Sequence, residues 1–374
     1  MASTPTDSIL VVNTGSSTFK WALFAADESQ EPVSHGGEEW SAEDALTRRS
    51  QIEATLRTLP PCRAVGHRIV HGGGVFRDSV LIDDGAHREL EALVQLDPLH
   101  MRAALCGIDA SRAAFPAAPQ FAVFDTSFHR TMSEAADGYG LPAEWTSKWG
   151  LHRYGFHGLS VDWSIDWVRR HRERVPHRVV VAHLGSGCSV TAVRDGRSID
   201  TTMGFTPLEG LMMGTRSGSV DPGLLLHLQS RCGVSLSELE DTLTSKSGLL
   251  GVSGVSGDMR KVIAAADSGI ESAALAYERF IVHARRGVGA MSGMLGGVDM
   301  LIFTGGIGEH EPRVRRDVAA ALGTGLIDDR LNERSADPLN GEGLISAASS
   351  PVDVLTIRAR EDRVVLREVL RLSG

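Results

Sequence analysis

Cysteine is scarce in this 374-residue chain: Cys62, Cys106, Cys188 and Cys232 are scattered, with no CxxC spacing. That pattern offers neither a zinc site nor a disulfide framework, and it makes a reducing cytoplasm the default. Basic residues are in deficit, with a formal charge of −9 and an isoelectric point near 5.9. Nucleic acid and anionic membrane surfaces are therefore poor candidates for the main partner. No segment approaches the ~18 consecutive apolar residues that a membrane span requires. The N-terminus, MASTPTD, lacks the basic-then-apolar pattern of a secretory signal. What remains is ordinary for a soluble globular protein: 42% apolar and 23% charged residues, in a chain long enough for two domains with a core each.

The stretch that organises the rest is Ile9 to Phe24, ILVVNTGSSTFKWALF. An apolar run ends in Asn13, a small-residue turn Thr14-Gly15-Ser16-Ser17 follows, and a second apolar run carries Lys20. This reads as strand, turn, strand. Bare backbone amides at such a turn allow close approach of a phosphate, although the spacing is not that of a Walker loop. The plan recurs in Val180 to Arg194, VVAHLGSGCSVTAVR. Asn13 matches His183, Gly15 matches Gly185 and Ser16 matches Ser186, each pair 170 positions apart. A repeat on that scale implies two similar domains, each presenting a phosphate-binding hairpin.

Along the chain, Ser41 and Asp44 suit the start of a helix that Pro60-Pro61 stops. In Gly66-His67-Arg68-Ile69-Val70-His71 the two histidines have helical zinc spacing, but the three glycines that follow and the absence of an acidic base favour a strand. Alternation then places Arg68 and Val70 on one face. That pairing suits a carboxylate with a short alkyl group, although a surface ion pair also accounts for a single arginine. Helices are expected around Leu90–Leu96 and Met101–Phe115. Phe121–Phe124 is a buried-type strand ending at Asp125. A carboxylate there sits where open α/β sheets bind ligands, or it simply caps a turn. His157, in RYGFHG, is either a core histidine or a site residue. Ser160 begins a helix through Val175. The block from Thr202 to Pro222 and the segment Ser245–Arg260 both read as ordered loops lining a site. A helix spans about Glu271–Leu295 and stops at Gly296-Gly297. Met300–Phe303 is a buried strand running into Thr304-Gly305-Gly306-Ile307-Gly308-Glu309, a strand–glycine–helix arrangement suited to nucleotide phosphates. Val354–Ile357 is a strand, and Glu361–Leu372 a helix.

Taken together, NTGSSTFK, GHRIVHGG, VFDTSFHRTM, RYGFHG, HLGSG, MGFTPLEG with GTRSG, SGLLGVSG and FTGGIGE closely resemble acetate kinases, from Ile9 to the C-terminus and in matching order. The resemblance implies an α/β fold of two similar actin-like (ribonuclease H-like) lobes facing each other across a nucleotide cleft. The implied division is 1–126 plus 359–374 as the N-terminal lobe and 127–358 as the nucleotide-binding lobe. It further implies that Asp125, Arg68, His157 and Arg216 are catalytic, with Asn13 and Glu361 at a magnesium (or manganese) site. Arg68, Val70, Leu99, Phe156 and Pro207 would hold the acid. Lys20, His183, Leu184, Gly185, Ser186, Gly187, Asp258, Met259, Arg260, Gly305, Gly306, Ile307 and Gly308 would contact ATP or ADP. A cytoplasmic homodimer is the implied state. The chain departs from the family pattern at Ser186 (asparagine), Val161 (histidine) and His310 (asparagine), and in Arg358-Ala359-Arg360-Glu361-Asp362, where the family has PTxEE.

The implied reaction is reversible phosphoryl transfer from ATP to acetate. Its alternative is a kinase for propionate or butyrate, and Val70 favours the shorter acid. A carboxylic acid is ionised at neutral pH, so no general base is needed. Asp125 is accordingly expected to organise metal or water rather than to take a proton.

Overall fold

The computed structural model describes residues 8–15, 18–26, 31–39, 45–337 and 341–374. Ser16 and Ser17 of the first turn, and the expected helix start at Ser41 and Asp44, lie outside the described residues, as does the side chain of Leu99. The chain divides into two compact units. Unit 1 comprises residues 1–130, 156–163 and 360–374, and unit 2 comprises 131–155 and 164–359.

Unit 1 is built on six strands: β1 (Ser8–Thr14), β2 (Thr18–Ala25), β3 (Ser34–Glu39), β4 (Ala64–Ile69), β5 (Val80–Leu81) and β6 (Gln120–Phe124). Their spatial order is β3-β2-β1-β4-β6-β5. β1, β2 and β3 form an antiparallel meander, whereas β4 and β6 run parallel to β1. Alternation along β1 buries both of its faces. Ile9 and Val11 pack with Phe24 and Val123 under Val364, Val365, Leu366 and Val369 of the helix Glu361–Ser373. Leu10 and Val12 pack on the opposite face with Phe19, Ile52, Leu56 and Ala110. Gly66 of β4 is required by this arrangement, because a Cβ there would lie 2.6 Å from both Val365 and Val369. The missing side chain brings the terminal helix, with Glu361 as its first residue, directly onto the sheet.

Unit 2 repeats the topology. Its strands are β7 (Arg178–Leu184), β8 (Cys188–Arg194), β9 (Arg197–Thr201), β10 (Met300–Thr304), β11 (Gly343–Leu344) and β12 (Asp353–Thr356). The spatial order is β9-β8-β7-β10-β12-β11, the same as in unit 1 strand for strand. The register agrees as well: Ile9 pairs with Ala64, the first residue of β4, and Val179 pairs with Met300, the first residue of β10. The 170-position repeat in the sequence is thus the repeat of the fold.

Several local expectations need correction. Ser245–Arg260 is not a loop throughout: Gly248–Ser253 is a short helix, closed by Gly254 at φ +67°, and Met259 opens another helix to Asp267. Buried Leu249 and Met259 anchor the two helices, so tertiary burial overrides the low helix propensity of glycine and serine. The helices expected at 90–96 and 101–115 are Asp84–Ala92, continued by a 3₁₀ turn, and Pro98–Ala114. Both starts are displaced toward N-cap aspartates, Asp83 and Asp97, which accept from backbone amides. Segment 156–163 belongs to unit 1 rather than to the second half of the chain. There Leu159 is buried in the unit 1 core, and the Gly158 amide donates to the Asp125 carbonyl at 2.9 Å.

Candidate functional site

In unit 1, the C-terminal ends of β1, β4 and β6 and the start of the last helix bring four of the expected residues to the same edge of the sheet. Asn13 lies near the end of β1, Arg68 near the end of β4, Asp125 one residue past β6, and Glu361 opens its helix. The parallel register sets Arg68 beside Val123, two residues short of Asp125. Arg68 Nε donates to Asp125 Oδ1 at 3.0 Å and Nη2 to Oδ2 at 2.7 Å. Glu361 Oε1 is 3.9 Å from the same Nη2. Asp125 is 1% exposed. Burial pushes its carboxyl upward, against the opposing pull of Arg68. Burial acts to lower the Arg68 pKa, but Asp125 and Glu361 outweigh it and reinforce the cation.

Val70, directly after β4, and His157 are half-buried, whereas Phe156 is buried with its ring edge-on to His71 at 5.4 Å. His157 holds a left-handed backbone, φ +58°, which only a few per cent of non-glycine residues adopt. Gly158 after it is forced, since a Cβ there would fall 2.1 Å from the Asp125 carbonyl oxygen. His129, one residue from Arg130 in the VFDTSFHRTM motif, went unassigned in the sequence. Its buried Nε2 donates to the Phe156 carbonyl at 3.0 Å and fixes that aromatic ring's backbone. His100 was missed as well; its Nδ1 bonds both oxygens of Asp97 at 2.9 and 3.0 Å.

Unit 2 contains a cavity of about 570 Å³ lined by Gly185, Ser186, Gly214, Thr215, Gly257, Asp258, Met259, Arg260, Gly306, Ile307, His310 and Glu311. Seven of these were expected to contact nucleotide. His183, Leu184, Gly187, Gly305 and Gly308 are not part of this lining: the Gly185 amide bonds the Gly187 carbonyl at 3.0 Å, and a Cβ on Gly305, at φ +77°, would sit 2.8 Å from the Leu184 carbonyl oxygen. Asp258 caps its helix and binds Arg260 Nη2 at 2.7 Å, which holds the Asp258 carboxyl below its usual range. Gly214 and Thr215, from GTRSG, and Gly257, His310 and Glu311 are additions that the sequence motifs bracketed without assigning. Lys20 stands exposed opposite Asn13 in unit 1 and is not part of this lining. Arg216 and Pro207 belong to unit 2, where Arg216 Nη1 donates to the Pro207 carbonyl at 3.2 Å.

The family model of the acetokinase family matches residues 53–367. An acetate kinase from a Synechococcus strain is 48% identical over 80% of this chain and 73% of its own. The crystal structure of Porphyromonas gingivalis acetate kinase superposes with a TM-score of 0.87 at 33% identity, covering 98% of this chain and 100% of that one. A propionate kinase from Francisella tularensis gives 0.85 at 35% identity, covering 97% and 98%. The fold is accordingly the two-lobed actin-like one, and the chain belongs to the acetokinase family of ATP-dependent acetate kinases.

Proposed function

We propose that this chain moves the γ-phosphoryl group of ATP to acetate by direct in-line transfer, reversibly and with magnesium, giving acetyl phosphate and ADP. Family membership supports the reaction class. The observation that carries the assignment of roles is the placement of Arg68 and Val70 at one strand end, next to buried Asp125. Arg68 orients the acid's carboxylate, and Val70 and Phe156 accommodate its methyl group. The obstacle to the reaction is electrostatic. Two unit negative charges ~4 Å apart at an effective dielectric near 20 repel by about 4 kcal/mol. Arg68, His157 and Arg216 offset that repulsion, and charge neutralisation with positioning is the main catalytic requirement of phosphoryl transfer. Asp125 holds Arg68 in register and takes no proton from an acid that is already ionised. The glycines of the unit 2 cavity let ATP approach backbone amides.

Among the described residues, no three or more His, Cys, Asp and Glu side chains gather into a metal cage. That fits magnesium, which is commonly held by one or two carboxylates plus substrate phosphates. Glu361, with Asn13 and Asp125, supplies hard oxygen donors of that kind, and the bound cation would add further neutralisation of phosphate charge. Manganese would satisfy the same donors. The working state we infer is a cytoplasmic homodimer; no described helix is long and apolar enough to cross a membrane.

A propionate preference is the second reading, favoured by the likeness to the Francisella propionate kinase. Incubation with ATP, magnesium and acetate, propionate or butyrate, followed by hydroxylamine trapping, decides between them. Acetohydroxamate in excess is the expected result. Excess propionohydroxamate would replace it with the second reading, and no hydroxamate from any acid would end both.

A further inference from the structure

Between β9 and the helix Pro222–Arg231, the chain runs for some twenty residues without a helix or strand. Irregular segments of that length are costly to order and are commonly functional. This one is held by a half-buried polar network drawn from the distant segment 131–155. Glu209 reaches back across the loop: its Oε2 accepts from the Tyr139 hydroxyl at 2.6 Å and its Oε1 from Arg153 Nη2 at 2.8 Å. The same Tyr139 oxygen accepts the Phe205 amide at 2.7 Å. Arg153 Nη1 lies 3.3, 3.4 and 3.2 Å from the carbonyl oxygens of Thr201, Thr202 and Met203. Gly204 makes room for the crossing, since a Cβ would fall 1.7 Å from Glu209 Oε2 and 2.2 Å from the Tyr139 hydroxyl. Burial, then Glu209, pushes the Tyr139 phenol upward, so it remains a donor. Pro207, two residues before Glu209, presents the carbonyl that receives Arg216 Nη1.

We propose that Tyr139, Glu209 and Arg153 form a positioning device for Arg216, fixing loop 203–210 so that the Pro207 carbonyl holds the guanidinium in its working orientation. This rests on the reading of Arg216 as a transfer cation. None of the three lines the nucleotide cavity, so their loss acts on turnover and leaves ATP binding largely intact.

The test uses the full-length protein carrying Glu209→Gln, Tyr139→Phe, Arg216→Ala and the double variant Glu209→Gln/Arg216→Ala, with kcat and both KM values measured. Tyr139→Phe keeps the ring packing, and melting curves establish that each variant is folded. Glu209→Gln and Tyr139→Phe are expected to lower kcat by about tenfold while KM for ATP changes less than about threefold. Glu209→Gln is expected to cost nothing further in the Arg216→Ala background, because the residue it positions is gone. A crippled Arg216→Ala with additive loss in the double variant would overturn the positioning role. A wild-type kcat in Arg216→Ala would instead overturn the reading of Arg216 itself.

Discussion

Arg68 meets Asp125 edge to edge, Nε on one carboxylate oxygen at 3.0 Å and Nη2 on the other at 2.7 Å, with the carboxylate almost wholly out of solvent. A fork of this kind fixes the plane of the guanidinium as well as its position. Asp125→Asn keeps the shape but removes the charge and one acceptor oxygen, so Arg68 loses its orientation. Turnover should fall by about a hundredfold or more, the scale of losing a preorganised charge contact. The pH–rate profile should keep its low-pH limb, since on the proposed reading the acid is already ionised and Asp125 takes no proton. Loss of that limb in the variant would instead identify Asp125 as a general base.

Gly306 of the unit 2 cavity and its neighbour Gly305 make different predictions. Gly305 has φ +77°, and a Cβ on it would sit 2.8 Å from the Leu184 carbonyl oxygen; Gly306 has no atom within 4 Å of its Cβ position. Gly305→Ala should therefore destabilise the protein by about 1–3 kcal/mol through backbone strain. Gly306→Ala should fold normally, because its methyl projects into the cavity that Gly306 lines. There it competes with ligand, and the Kd for ATP should rise by roughly tenfold, about 1.4 kcal/mol. Thermal melts and calorimetric titration of the two variants separate the effects. An unaltered ATP affinity in Gly306→Ala would remove the cavity from consideration as the nucleotide site.

The paired hairpins were legible because Gly185 and Ser186 reproduce Gly15 and Ser16 at a constant offset, and strand register preserves such an offset. The end of the long helix was legible too, since Gly296 at φ +70° closes Glu271–Leu295 in the left-handed conformation glycine adopts freely. Helices 248–253 and 259–267 were not, because their glycine- and serine-rich sequence forms helix only through the burial of Leu249 and Met259. The pairing of Arg68 with Asp125 was equally hidden: their separation in sequence carries no local pattern, and only the parallel β4–β6 register sets them together. Glu209 reads as one more acidic loop residue until Tyr139 and Arg153 are seen to enclose it.

Acid should weaken unit 1 before its carboxylates protonate. His67 and His129 are each 1% exposed, and burial pushes both imidazoles down to about 4. Each donates from a single ring nitrogen, His67 to Gln120 at 2.8 Å and His129 to the Phe156 carbonyl. In the unfolded chain the same groups titrate near ~6.5. Because the folded pKa is depressed, the stability they permit is intact above about 6.5 and declines as the pH falls toward 4, where only the unfolded chain gains protons readily. Each histidine accounts for about 3 kcal/mol by the bottom of that window. Urea midpoints measured from neutral pH down to about pH 5 should fall, and the fall should be smaller in His67→Gln and His129→Gln.

Arg315 offers the most direct check on how the turn Gly305–His310 is held. The side chain is 0% exposed, and burial lowers its pKa to about 10. Every donor group goes to a neutral acceptor: Nε to Asn332 Oδ1, Nη1 to the carbonyls of Gly308 and Glu309, Nη2 to the Asn332 carbonyl and Ser335 Oγ, all between 2.7 and 2.9 Å. The Gly308 and Glu309 carbonyls belong to the last turn of helix Gly305–His310, where carbonyls lack intrahelical partners and a cation is favoured. Lysine has three donors on one nitrogen and cannot span these positions. Arg315→Lys should leave two or more buried acceptors unpaired, at about 1–3 kcal/mol each, and should loosen the turn that carries Gly306 and Ile307. The expected signature is a lowered urea midpoint together with weaker ATP binding, while Arg68→Ala weakens transfer to the acid without that change in ATP affinity. Unchanged stability and ATP affinity in Arg315→Lys would mean the turn is held by its backbone alone.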